Sequence, residues 1–339
     1  MNVLHVNDYV GEVGGAEVAV KLLISRLGGD LISTTNFTTD AAKKYDVIHL
    51  HSVWNLLSRR RSLYSSRVPY VYTAHGYTLD CTKQSGLCIP GCIPTGSCST
   101  CQGIIARALF SRSRLKPLLE VVRQSKAIIV HSKWMQFYYR RWNPTYLPIP
   151  LEIEEMQPLD PSEKERYLFF SARCVFDKNP FAFARLCKEL HVKGIMALDF
   201  LAGTSRGLFK DYVKTLRNEY VEFYFDPEKE ERFDLCHHAY LTVHPHVYCE
   251  PFGIASANSI LLGTPLIAYP FGNLRDLATI TAFPYAELRR TVDRALIDDA
   301  YYHLLCEKTL TRRNKLTKEL DCVEDWERFY ELTMDGKQN

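Results

Sequence analysis

The chain has no apolar run long enough to cross a bilayer. A spanning helix needs about 18–20 such residues, and the best candidate, residues 254–269, is broken by Gly263 and Pro265. An excess of one charge is also missing. Forty-two Lys+Arg against 39 Asp+Glu leaves +3, which excludes a dedicated nucleic-acid coat or a polybasic arm but allows a local basic patch. The opening MNVLHVND has neither the charged nor the apolar region of a secretory signal, so a cytoplasmic location is the expectation. With 46% apolar and 24% charged residues, composition excludes disorder, collagen and coiled coil. No internal repeat or low-complexity segment is evident. What is present is length and alternation: 339 residues correspond to about two domains of ~150 residues each.

Strand-like and helix-like segments alternate from end to end. Strands are predicted at 3–7, 47–51, 70–74 and 127–130, with helices at 17–27, 56–65, 104–122 and 134–141. The Pro-rich residues 143–150 read as an interdomain connector. A second series predicts strands at 167–171, 198–201, 221–225, 240–243 and 266–268, separated by helices at 180–190, 208–219, 228–237 and 252–262. Repeated strand–helix–strand units imply parallel sheets with helices on both faces. The expected fold class is therefore α/β, with two doubly wound Rossmann-like domains at 1–150 and 151–320 and a C-terminal helix in 321–339. Ligands of such sheets bind beyond the carboxyl ends of the strands, and with two domains the cleft between them is the expected site.

Three segments offer chemistry there. Gly14 and Gly15 lie between the first strand and the first helix, where close backbone approach and free N–H groups suit a phosphate; the plain alternative is a turn. No GxGxxG accompanies them, which removes support from an ordinary dinucleotide site. Arg173 follows a strand, and Lys178 comes five residues later at the start of a helix. A guanidinium fork and a point charge together suit a diphosphate; an exposed basic pair is the competing reading. In YCEPFGIASANSILLGTPLIAY, Glu250 stands at a strand end, and Phe252, Gly253 and Ile254 open a helix. Asn258 follows two turns along, on nearly the same face as Glu250. A carboxylate at a helix mouth binds sugar hydroxyls, while the N–H groups bind phosphate.

This last stretch resembles the nucleotide-sugar domain of retaining glycosyltransferases of family 4, which have the GT-B fold. EPFGIASAN followed by GTPLIA is similar to that family's Glu-x7-Glu and Gly-x-Pro motifs. Arg173 with Lys178-Asn179, the early GGAE, DVIHLHS, PYVYTAHG with His75, AIIVHSKW and the terminal DWERFYELT also resemble family segments. The resemblance implies sugar transfer from a nucleotide-sugar donor to an acceptor hydroxyl of a glycan or lipid-linked sugar, with retention and without a catalytic metal. It implies an acceptor-side first domain, a nucleotide-sugar second domain and a last helix that returns to the first. Arg173, Lys178, Glu250 and His75 would be catalytic. Gly14, Gly15, Phe252, Gly253, Ile254 and Asn258 would join Arg173, Lys178 and Glu250 in holding the donor. The chain departs from the family at Asn258, where a second Glu is expected, and at Gly76, where an Asp often follows the histidine. Asn keeps a donor and an acceptor but loses charge-assisted bonds. A nucleotide-sugar epimerase and a non-catalytic sugar- or nucleotide-binding protein are the alternatives.

Five of the eleven cysteines, Cys81, Cys88, Cys92, Cys98 and Cys101, fall in one Gly/Pro/Ser-rich stretch after His75. This resembles a cysteine-rich insert of the family branch that works in exopolysaccharide assembly. Thiolates at this spacing suit a structural zinc; disulfides and free thiols compete with it. The basic residues that follow, Arg107 to Lys126, suit an anionic membrane surface or a solvated face. His49 and His51 share one strand face and suit either packing or acceptor contact. His237 and His238 read as structural, and one of His244 and His246 is placed to reach a donor. No His–carboxylate pair reads as a metal site.

Overall fold

The computed structural model describes residues 1–11, 14–80, 115–151, 156–199 and 206–335. The cysteines expected to hold zinc (Cys81, Cys88, Cys92, Cys98 and Cys101) lie outside the described residues, as do residues 104–114 of the expected helix. The chain divides into two compact units, Met1–Glu152 with Leu320–Asn339, and Ile153–Glu319.

The first unit is built on β1 (Val3–Asn7), β2 (Asp30–Ser33), β3 (Val47–Leu50), β4 (Tyr70–Thr73), β5 (Ile128–Val130) and β6 (Thr145–Tyr146). They form a parallel sheet in the order β2-β1-β3-β4-β5-β6. β1, β3, β4 and β5 are buried along their whole length. That is why they read as continuous runs and not as alternation. Helix Val323–Met334 brings Trp326, Phe329 and Tyr330 into one core with Val3, Val47, Val71 and Ile129.

Residues 143–150 are not a free connector. Thr145–Tyr146 adds an edge strand, Leu147 and Ile149 are buried, and the Pro148 carbonyl accepts from Trp326 Nε1 at 2.8 Å. Proline lacks the N–H for a central ladder but is tolerated at a sheet edge, so the prolines of this stretch are compatible with structure. β2 was not expected: it is four residues long and only half-buried.

The second unit contains β7 (Glu165–Arg173), β8 (Gly194–Asp199), β9 (Val221–Phe225), β10 (Ala239–His244), β11 (Leu266–Ala268) and β12 (Ile280–Thr281), again parallel, in the order β12-β11-β10-β7-β8-β9. Successive residues of β7 feed opposite cores. Leu168 and Phe170 join one cluster, Tyr167 and Phe169 the other, as the two-residue period of a strand requires. Each such side chain contributes about 1.5–3 kcal/mol by leaving water. The strand expected at 198–201 starts earlier, at Gly194. A side chain there would run into Cys187 Sγ and the Phe183 ring, so this glycine permits close helix–strand packing and does not end the strand.

In both sheets the first strand of the unit lies beside two strands reached by opposite crossovers. β1 sits between β2 and β3, and β7 between β8 and β10. The crevices beyond the carboxyl ends of β1/β3 and β7/β10 are topological switch points, where open α/β sheets bind ligands. Among the described residues, no helix is long and apolar enough to cross a membrane.

Candidate active site

The β7/β10 switch point gathers most of the expected site. After β7 the chain makes a short 3-10 turn, Phe176–Lys178, and Asn179 in a left-handed conformation (φ 53°) caps helix Pro180–Leu190. This turn is tied to the segment after β10: Val247 N donates to the Asp177 carbonyl at 3.0 Å, and Asn179 Nδ2 to the Pro245 carbonyl at 3.0 Å. Two sequence segments some 70 residues apart are thereby locked together, and Lys178 Nζ meets Glu250 Oε2 in an ion pair with side chains only 8% and 12% exposed. Lys178 also lies over the Tyr248 ring, 5.0 Å from its centre.

Glu250 is held from three sides. Its backbone bridges to Gly272 and its carbonyl accepts from Asn273 N at 2.8 Å. Its carboxylate meets Lys178 and His246 Nδ1, the latter at 3.2 Å. Burial alone would raise its pKa. The Lys178 charge and the His246 hydrogen bond outweigh burial and hold the carboxyl below its usual range. Burial, with the Lys178 charge, pushes His246 down to about 4. At neutral pH the His246–Glu250 contact is thus a neutral N–H donating to a carboxylate, not an ion pair. His246 Nε2 is buried with no partner among the described residues. His244 is used up: Ser171 N donates to its Nε2 at 3.4 Å and its Nδ1 meets Ser256 Oγ at 2.7 Å.

Helix Ile254–Leu261 starts beside this carboxylate, capped by Gly253 at φ 90°. An added Cβ at Gly253 would come 3.0 Å from Glu250 Cγ. Phe252 is buried, and its carbonyl accepts from Asn273 Nδ2 at 2.7 Å. Ile254 and Asn258 are half-buried on the same helix face, four residues apart. The Asn258 side chain makes no hydrogen bond among the described residues. Arg173, half-buried at the end of β7, makes no ion pair among the described residues and lowers the pKa of Tyr248 against the effect of burial. Burial pushes the thiol of Cys174, next in the chain, up to about 12, which opposes the reactive thiolate form.

Three expected site residues belong to the first unit. Gly14 caps helix Gly15–Leu27, and no described residue comes within 4 Å of the Cβ position of Gly15. His75, just beyond β4, is half-buried, and its Nε2 lies 2.9 Å from His51 Nδ1. His49 and His51 are fully buried. Among the described residues, His5, His49 and His51 offer ring nitrogens within 4.8 Å of one another. Those nitrogens are engaged: His5 with His51, and His49 with Tyr330 and Thr73. The group therefore reads as a hydrogen-bonded cluster and not as a metal centre.

Residues 152–282, which carry Arg173, Lys178, Glu250, Gly253 and Asn258, match the family model described as Glycosyl transferases group 1. The whole chain is similar in structure to HepE of Anabaena in complex with UDP and glucose, at 15% identity and TM-score 0.70, covering 96% of this chain and 98% of that one. The fold is GT-B. The catalytic domain of Arabidopsis thaliana starch synthase IV, bound to ADP and acarbose, is a GT-B relative in structure at 10% identity and TM-score 0.63, covering 98% and 99% of the two chains. OtsA in its apo form matches over 100% of both chains at 10% identity and TM-score 0.59. No curated protein sequence matches the chain.

His246 was only half-anticipated as a site residue, and its role on Glu250 was missed. The Glu250 signal lies in its own motif, and the histidine four residues earlier gains meaning only from the fold of the turn between them.

Proposed function

We propose that the protein is a retaining glycosyltransferase of family 4 that moves a sugar from a nucleotide-sugar donor to the hydroxyl of a glycan or lipid-linked acceptor. The observation that carries this reading is the Lys178–Glu250–His246 cluster at the β7/β10 switch point, with Arg173 beside it and a helix N-terminus at Gly253. HepE in complex with UDP-glucose, 14% identical with TM-score 0.67 over 95% of this chain and 99% of that one, supports a nucleoside-diphosphate donor.

In this reading Glu250 works as a carboxylate, since its surroundings oppose protonation. It accepts hydrogen bonds from the sugar hydroxyls and cannot act as a proton donor near neutrality. Lys178 and Arg173 place two cations beside the leaving diphosphate, joined by the free N–H groups of helix Ile254–Leu261. Fixed positive charge that meets the growing negative charge of the leaving group does the work a divalent ion does elsewhere, which is the basis for metal independence. Asn258 takes the ribose. Gly14 and Gly15 approach phosphate or sugar by their backbone, and His75 accepts a hydroxyl of the donor sugar. Retention follows from the family resemblance, as does a role in exopolysaccharide assembly. The exposed Phe137, with the Arg140 guanidinium 4.6 Å from its ring centre, supports contact with an anionic membrane face where a lipid-linked acceptor sits.

Uncoupled donor hydrolysis tests the reading. A panel of nucleotide sugars, starting with UDP-glucose, should give turnover with one donor, and Glu250→Gln should lower it by a factor on the order of a hundred. Loss of no more than a few-fold would mean that the Glu250 charge does not serve turnover. Binding without any hydrolysis or transfer would favour the non-catalytic alternative.

A further inference from the structure

The parallel register of the first sheet lines up histidines that are far apart in sequence. His5 on β1 lies opposite His49 on β3, and His49 opposite Val71 on β4. By the two-residue period, His51, Thr73 and His75 continue the same face toward the carboxyl ends. Thr73 lies opposite Ile129, which puts His131 on that face too. The apolar half of this face is the core under Trp326 and Tyr330; the other half is a belt of imidazoles. Within it runs a continuous chain: His5 Nδ1 to His51 Nε2 at 3.1 Å, then His51 Nδ1 to His75 Nε2 at 2.9 Å. His49 stands beside the chain with both nitrogens taken by Tyr330 and Thr73. His131 donates Nδ1–H to the Leu147 carbonyl at 2.8 Å, with its ring 5.2 Å from that of His75.

We propose that His5 and His51 are positioning residues that hold His75 in the Nε2–H tautomer, so that its Nδ1 presents a bare lone pair to a sugar hydroxyl. Burial keeps these histidines neutral near pH 7, aided at His51 and His75 by repulsion from neighbouring rings. A neutral imidazole has one proton and one lone pair. His51 uses both nitrogens, so it donates through one and accepts through the other, and the whole chain has only two consistent states. In one, all three rings carry Nδ1–H; in the other, all carry Nε2–H. The far end selects between them. His5 Nε2 is buried against the Gly28–Gly29 turn, where a Cβ on Gly29 would stand 3.3 Å from it. Among the described residues no partner meets Nε2 at full hydrogen-bond geometry, yet the Gly28 backbone favours the protonated ring. A proton at His5 Nε2 forces His51 and then His75 into the same tautomer. His75 Nδ1 makes no hydrogen bond among the described residues, which leaves it for a ligand.

The consequence for turnover rests on the reading that His75 meets the donor sugar; the tautomer itself does not. Both are tested in the full chain labelled with 15N-histidine. Long-range 1H–15N correlations at pH 7.5 should show Nε2 protonated in His5, His51 and His75, with His75 assigned by loss of its signals in His75→Gln. Protonation of His75 at Nδ1, or averaged shifts for its two nitrogens, overturns the proposal without recourse to activity. His51→Asn keeps an acceptor at the Nδ1 position and should preserve the His75 tautomer; His51→Phe should abolish the preference. With the donor that gives hydrolysis, His51→Phe should lower kcat/KM about tenfold, the worth of one well-placed hydrogen bond, while the Kd for UDP stays within about twofold. A fixed tautomer with no change of kcat/KM in His51→Phe would overturn the positioning role. A fixed tautomer in a chain that hydrolyses no donor would instead sink the enzymatic reading.

Discussion

Removing one member of the Lys178–Glu250 pair leaves the other with a buried charge and little to meet it. Both side chains are nine-tenths buried or nearly so, and stranding a charge in such a place costs about 3–5 kcal/mol. Lys178→Met should therefore destabilise the protein by roughly that amount at pH 7.5. It should also raise the Glu250 pKa, because the Lys178 charge is the main influence opposing burial. Lys178→Met combined with Glu250→Gln should recover much of the loss, since no charge is then stranded. Denaturant titration of the three variants measures this, and a double variant no more stable than Lys178→Met alone would show that the pair is not coupled. The sequence showed both residues as site candidates. It did not show that they touch, because the contact depends on how two loops after non-consecutive strands are tied by Val247, Asp177, Asn179 and Pro245.

At the level of elements, the turn after β11 is what presents Glu250. Gly272 has φ 65°, and a Cβ there would overlap the Glu250 amide nitrogen and carbonyl oxygen. Backbone strain and a backbone collision act together, so Gly272→Ala should cost about 2–3 kcal/mol or more. It should also lower donor turnover by displacing Glu250. Gly11→Ala is the control: φ is also positive, at 96°, but among the described residues nothing lies within 4 Å of the added carbon. Equal losses in the two variants, measured by thermal and denaturant unfolding, would assign the whole effect to the dihedral and none to the approach of Glu250. The strands themselves were legible where they are buried throughout and mostly apolar, as in β1, β3 and β10. The edge strands β2, β6 and β12 were not. Short, half-exposed strands have no apolar run to announce them, and in β6 the neighbouring prolines imitate a linker.

For the whole molecule, the histidine belt makes stability depend on pH. Burial lowers the pKa of His5 and of His131 to about 4 and those of His49, His51 and His75 well below 6.5. Unfolded histidines titrate near 6.5. Between 6.5 and about 4 the unfolded chain thus binds more protons than the folded one, and stability rises with pH there. The contribution is complete above 6.5 and is lost as pH falls toward 4. With several histidines acting together, the fall should exceed about 1.4 kcal/mol per pH unit, the value for one proton. Denaturant midpoints measured from pH 7.5 to 4.5 check this, and a flat profile down to pH 5 would mean the belt is hydrated and charges freely. Thermal unfolding in parallel separates this loss from the collapse of carboxylate pairs, which sets in at lower pH.

The amino-acid order alone determined the α/β alternation, the two parallel sheets and the residues Arg173, Lys178 and Glu250. Each is written locally: a burial pattern of period two or 3.6, or a motif within some twenty residues. Tertiary structure alone decided the rest. His246 on Glu250, Trp326 on Pro148 and the chain from His5 through His51 to His75 join residues separated by up to 178 positions. The sequence does place a histidine within or just beyond four strands of the first half, at His5, His49, His75 and His131. Whether those rings meet depends on strand order and register. Both are set by packing of the sheet against its helices, a sum over contacts that no single segment contains.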